Sequence, residues 1–168
     1  MSAPTHALLE QLAPFIQTVA GLPLADCRDS EAAAALAGRL QQEHPAQGPA
    51  FQSIGDHLRQ GVAEGWLCDR GEPDARFCRL AKARPATADL SIDVVALQGA
   101  ALRHRHPRGE ITMAYPAEPG TTESRFDGHP AGWVVMPAGS VHTPTVTGSR
   151  MLLLYFLPGG AVEWTPGD

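Results

Sequence analysis

Residues 99–110 read Gly-Ala-Ala-Leu-Arg-His-Arg-His-Pro-Arg-Gly-Glu, and residues 132–142 read Gly-Trp-Val-Val-Met-Pro-Ala-Gly-Ser-Val-His. In the first stretch His104 and His106 stand two apart, so an extended strand turns both imidazoles to one face and Arg103 and Arg105 to the other. Glu110 follows across Pro107-Arg108-Gly109, a bend-forming tripeptide able to carry its carboxylate back beside the imidazoles. His142 closes the second stretch behind the turn residues Pro137 and Gly139 and offers a third imidazole. Three imidazoles and one carboxylate are a ligand set for one divalent ion such as Fe, Mn, Ni, Cu or Zn, with positions left open for water or substrate. Metal availability, rather than spacing, chooses among those ions.

Both stretches lie in a region whose hydrophobic period is two. Short, partly alternating runs at 75–80, 90–97, 110–115, 132–136 and 150–157, separated by Gly/Pro/Asp turns, predict the strands of an all-β sandwich or small barrel. Before about residue 67 the period is three to four. Leu8, Leu9, Leu12, Phe15, Ile16 and Val19 predict a first helix, capped at Thr5 and shortened or kinked at Pro14. An Ala-rich stretch from Ser30 to Leu40 predicts a second. A third is expected over 51–64, with Ile54, Leu58 and Val62 on one stripe and Gly65 as its stop. The expected organisation is a helical segment over residues 1–67 packed on a β domain over residues 68–168.

The 168 residues are 43% hydrophobic and 18% charged, enough to bury the core of one domain. The 17 Gly and 15 Pro favour many turns and short elements. A net charge of −5 without a basic stripe argues against a nucleic-acid partner. The longest uninterrupted apolar run, Met151–Leu157, is well short of the roughly 20 residues a membrane span needs. No Lys or Arg precedes Arg28, so the basic start of a secretory leader is missing. Cys27, Cys68 and Cys78 form an odd set with no CxxC spacing and read as small buried hydrophobes. The expectation is a cytoplasmic protein. Because Met151–Leu157 offers more apolar surface than one barrel face needs, a homodimer is also expected.

The pattern Gly99-x4-His104-x-His106-x3-Glu110, followed by Gly132-x4-Pro137-x-Gly139-x2-His142, resembles the paired motifs of the cupin superfamily. That resemblance implies a mainly β fold, a double-stranded β-helix (jelly-roll) barrel, here preceded by the helical segment. It also implies that His104, His106, Glu110 and His142 bind one metal inside the barrel. A narrower resemblance rests on His104-x-His-Pro-x-Gly-Glu-Ile111, Phe126-Asp-Gly-His-Pro-Ala-Gly-Trp133 and Pro137-x-Gly-Ser-x-His-x-Pro-Thr-Val-Thr-Gly148. These stretches, together with the preceding helical segment, resemble the bacterial 4-hydroxylaminobenzoate lyase family. The activity this implies is conversion of 4-hydroxylaminobenzoate and water to 3,4-dihydroxybenzoate and ammonia, a step in nitroaromatic degradation.

Such a reaction on a small aromatic substrate calls for an acid at the leaving group and a cation for the carboxylate. Glu110 (if it is not a ligand), Tyr115 and His129 are the candidate acids. Arg76 and Arg79 are the candidate carboxylate partners. They face opposite ways on one strand, so one of them points inward. Trp133 and Tyr155 are expected in the core. A cupin-type Fe(II) dioxygenase acting on a small aromatic or diketone, and a non-catalytic metal- or small-molecule-binding cupin, stand as alternatives.

Overall fold

The computed structural model describes residues 2–165. Helix α1 (Ala3–Ala20) is capped by Ser2 rather than Thr5: the Ser2 Oγ accepts the Thr5 N–H at 3.3 Å. The helix continues through Pro14, because burial of Leu8, Leu12, Phe15, Ile16 and Val19 outweighs one missing backbone donor. Helix α2 (Ser30–Glu43) starts where Asp29 Oδ1 accepts the Ala32 N–H at 2.8 Å. Helix α3 (Pro49–Glu64) stops at Gly65, whose φ of +83° suits a residue without Cβ.

The remainder is antiparallel sheet. The strands are β1 (Arg70–Glu72), β2 (Ala75–Ala81), β3 (Leu90–Ala100), β4 (His104–His106), β5 (Glu110–Pro116), β6 (Arg125–Phe126), β7 (Gly132–Met136), β8 (Ser140–His142), β9 (Thr145–Pro158) and β10 (Glu163–Trp164). The large sheet runs β1-β2-β3-β9-β5-β7, with β6 paired to the start of β9, and the small sheet runs β10-β4-β8. These two sheets with three helices are the mainly β, jelly-roll architecture that the histidine motifs imply.

Strand parity divides the large sheet into two apolar faces. Ile92, Val94, Ala96, Ile111, Met113, Tyr115, Leu152, Leu154 and Phe156 join one core with Leu12, Leu40, Phe51, Ile54 and Leu58 of the helices. Leu97, Ala114, Val134, Met136, Met151, Leu153, Tyr155 and Leu157 form the other, on the barrel side. The continuous run Met151–Leu157 is therefore buried on both faces, as a strand covered by helices must be. Its second face is occupied by the chain's own helices, so the run itself does not call for a second copy. Trp133 and Tyr155 are core residues, as expected. All three cysteines are free and buried. No helix among the described residues is long and apolar enough to cross a membrane.

Candidate metal centre

The small sheet supplies three imidazoles by register. In the β4–β8 pair His104 lies opposite His142 and His106 opposite Ser140, so the two paired histidines share a face and His106 joins them from two residues along. Their Nε2 atoms form a triangle: His104 to His106 is 2.9 Å, His106 to His142 is 2.8 Å and His142 to His104 is 3.2 Å. Among the described residues, these three are the group whose ligand atoms could hold a metal ion, all lying within 4.8 Å of one another. Arg105 takes the opposite face, where it meets Glu163 at 3.0 Å.

The protons on these rings are fixed from behind. His104 Nδ1 lies 2.9 Å from the Leu102 carbonyl, which can only accept, so Nδ1 carries the hydrogen. His142 Nδ1 lies 2.6 Å from Asp127 Oδ2 and donates to that carboxylate. With its hydrogen on Nδ1, the ligand form of each ring turns a bare Nε2 lone pair toward the other across 3.2 Å. Lone pairs so close repel unless a cation lies among them, which is the chemical test of fit for a metal. Their spacing fits too. Neighbouring nitrogens at about 2.1 Å from an ion lie about 3.0 Å apart in octahedral geometry and about 3.4 Å apart in tetrahedral geometry. The observed separations are close to this range.

Electrostatics favours the unprotonated ligand form of His104 and His106. Burial, followed by the charges of His104 and His142, pushes the His106 pKa down to about 3. Burial also lowers that of His104. His106 Nδ1 is buried with no hydrogen-bond partner.

Glu110 enters from β5 in the facing sheet. The turn before it depends on Gly109, at φ +80°, where a Cβ would sit 2.9 Å from both Leu24 and the Met136 carbonyl oxygen. Glu110 Oε2 is 3.4 Å from His106 Nε2, and Oε1 accepts the Thr112 hydroxyl at 3.1 Å. Its carboxyl touches the cluster through His106 and stands outside the three-imidazole group. Burial pushes its pKa up to about 8; the Thr112 hydrogen bond opposes that shift, and the charges of Asp127 and Asp93 add to it.

The other sequence candidates lie elsewhere. Tyr115 has the opposite parity from Glu110, so its ring packs on Phe51 (centroids 4.8 Å apart) and its hydroxyl donates to the Phe51 carbonyl at 2.8 Å. It belongs to the helix side of the sheet, and the structure does not bring it to the imidazoles. His129 is exposed in the turn after Asp127, where its backbone bridges to Phe126. Arg76 lies opposite Ala96 on the helix-facing side and donates from Nε to the Cys68 carbonyl at 2.8 Å. Arg79 has the barrel-side parity and pairs with Asp93 at 2.8 Å.

Sequence reasoning missed Asp127. Besides His142 it holds β9, since Oδ1 accepts the Thr145 N–H at 2.8 Å. Its φ of +47° marks a turn position that Asp and Asn tolerate. In the sequence it carries only a turn signal, Asp127-Gly-His-Pro.

A family model described as "PnbB: 4-hydroxylaminobenzoate lyase" matches residues 16–164. A 4-hydroxylaminobenzoate lyase of Pseudomonas putida is 29% identical over 156 residues, covering 84% of this chain and 89% of that protein. One of Nocardioides sp. (strain LMS-CY) is 25% identical over 129 residues, covering 71% and 76%. Among solved structures, an RmlC-like cupin protein from Ralstonia eutropha JMP134 is similar, with a TM-score of 0.39 at 19% identity over 52% of this chain and 58% of that one. KdgF from Halomonas sp. gives a TM-score of 0.37 at 21% identity over 53% and 84%. With the family model spanning both histidine motifs, most of the helical segment and nearly all of the barrel, the chain belongs to the 4-hydroxylaminobenzoate lyase family.

Proposed function

We propose that this chain is a metal-dependent lyase that converts 4-hydroxylaminobenzoate, or a closely related arylhydroxylamine, to 3,4-dihydroxybenzoate and ammonia in nitroaromatic degradation. Water closes the balance. The N–O bond breaks and its oxygen leaves as water. One water oxygen joins the ring beside the nitrogen-bearing carbon, a second replaces the nitrogen, and ammonia departs. Net uptake is one water, with no oxidant or reductant. The observation that carries this reading is the convergence of three imidazole Nε2 atoms in a chain of that family.

His104, His106 and His142 would hold a divalent ion, which when bound supplies Lewis acidity and lowers the pKa of water. Everything else falls to the chain's own side chains. Asp127 keeps the proton of His142 on Nδ1 and so keeps Nε2 available. Glu110 is the carboxyl beside His106 and the acid that would protonate the leaving oxygen. The apolar barrel lining of Leu97, Phe126, Val146 and Leu153 excludes bulk water from the reacting nitrogen. Arg79, on the barrel-side face, is the arginine suited to a substrate carboxylate, exchanging its Asp93 partner for it.

The test is ammonia release from 4-hydroxylaminobenzoate in anaerobic buffer, with elemental analysis of protein purified without a His tag. Bound metal and ammonia release in the wild type, both lost in His142→Ala, are expected. Turnover near wild type in His142→Ala overturns the metal role. No ammonia release in anaerobic buffer, with oxygen uptake in a parallel aerated assay, overturns the lyase.

A further inference from the structure

We infer that Trp164 is the aromatic wall against which the ring of the substrate lies, an inference that rests on the proposed arylhydroxylamine reading and extends it to how the ring is held. Across the β10–β4 ladder Trp164 is the direct partner of His104, so its side chain shares the face on which the imidazoles converge. The indole meets the His104 ring at a centroid distance of 5.2 Å and an interplanar angle of 72°. It touches the cluster edge to face, and yet the residue is 67% exposed.

Single exposed apolar residues need no explanation on a protein surface. This one differs because β10 is fastened so as to present it. Glu163 pairs with Arg105 at 3.0 Å on the far face, and both the Thr165 N–H (3.4 Å) and the Thr165 hydroxyl (3.3 Å) donate to the Arg103 carbonyl. A two-residue strand is thus pinned on both sides of a tryptophan that packs on a cluster imidazole and leaves most of its surface uncovered. An indole in that position offers stacking to a flat ring and much less to a puckered one. Trp164 is on this account a substrate-positioning residue that selects aromatic over saturated acids.

The test is binding by titration calorimetry of two acids of matched charge and similar size, 4-methylbenzoate and 4-methylcyclohexanecarboxylate, to the intact protein. Wild type should prefer the planar acid by about three- to tenfold, the range of an aromatic pair. Trp164→Ala should abolish that preference and Trp164→Phe retain most of it. Zinc affinity should be the same in all three, showing that the cluster is intact. With 4-hydroxylaminobenzoate, Trp164→Ala should raise KM by a similar factor with kcat little changed. An undiminished aromatic preference in Trp164→Ala, or none in the wild type, overturns the inference. If the wild type prefers the planar acid, Trp164→Ala does not, and no ammonia is released by either, the wall stands and the lyase reading falls.

Discussion

Asp127→Asn separates the orienting role of this carboxylate from its structural one. The substitution keeps the shape of the side chain, keeps an oxygen at Oδ1 for the Thr145 N–H at 2.8 Å, and suits the left-handed backbone at φ +47° as well as Asp does. What changes is the partner of His142 Nδ1. An amide N–H now faces that nitrogen across 2.6 Å, so Nδ1 must accept and the ring proton moves to Nε2, into the centre of the imidazole triangle. Restoring a bare Nε2 would set two donors against each other at that distance. Loss of an orienting partner of this kind typically weakens metal binding by about 10- to 100-fold, or about 1.4–2.7 kcal/mol. Zinc titration of metal-free protein, in competition with a chelator, measures it. Thermal stability of the metal-free protein should change by less than about 1 kcal/mol, since the Thr145 bond survives. Wild-type zinc affinity in Asp127→Asn would refute the tautomer argument.

Three further outcomes follow from the same geometry. In metal-free protein the Glu110 carboxyl, raised in the folded state to about 8, keeps its proton after the unfolded chain has lost its own; stability present below the ordinary value near 4.5 is therefore lost as pH rises toward 8. Urea unfolding of metal-free protein should show a loss of about 1.4 kcal/mol per pH unit from this group up to pH 7 and about 1 kcal/mol between pH 7 and 8, absent in Glu110→Gln. The comparison is cleanest above pH 7, because the lowered values of His104 and His106 cost stability only as pH falls below the ordinary histidine range. Added zinc should raise the melting temperature of the wild type and leave that of His106→Ala almost unmoved, as expected for a ligand that binds the folded state. Gly55→Ala should destabilise the protein by about 1–3 kcal/mol despite the better helix propensity of Ala, because the new Cβ would meet the Tyr115 ring at 2.5 Å. A denaturant midpoint at or above wild type would show that α3 can back away from β5.

Local geometry explains what was legible in the chain. The His-x-His pair shares a face because a strand alternates, and the three helices announce themselves through buried stripes such as Leu8, Leu12, Phe15 and Val19. The turn before Glu110 is written in Gly109. Parity could have gone further. Once Glu110 faces the imidazoles, Tyr115, five residues along the same strand, must face the helices, and that alone separates it from the site. Arg76 and Arg79 divide by the same rule.

Other features needed the folded chain. That His104 lies opposite His142, that Asp127 reaches back to His142, and that Trp164 lands beside His104 are all facts of strand register between segments distant in sequence. The short strands β4, β6, β8 and β10 carry too few residues for a period to show. The apolar run Met151–Leu157 says that both faces of β9 are buried, but only packing decides that α1–α3 cover one of them. Alternation along a strand is set by the bonds between neighbouring residues, so the sequence carries it. Register between strands is set by which long-range pairing buries the most side chains at once, and that is a property of the whole fold.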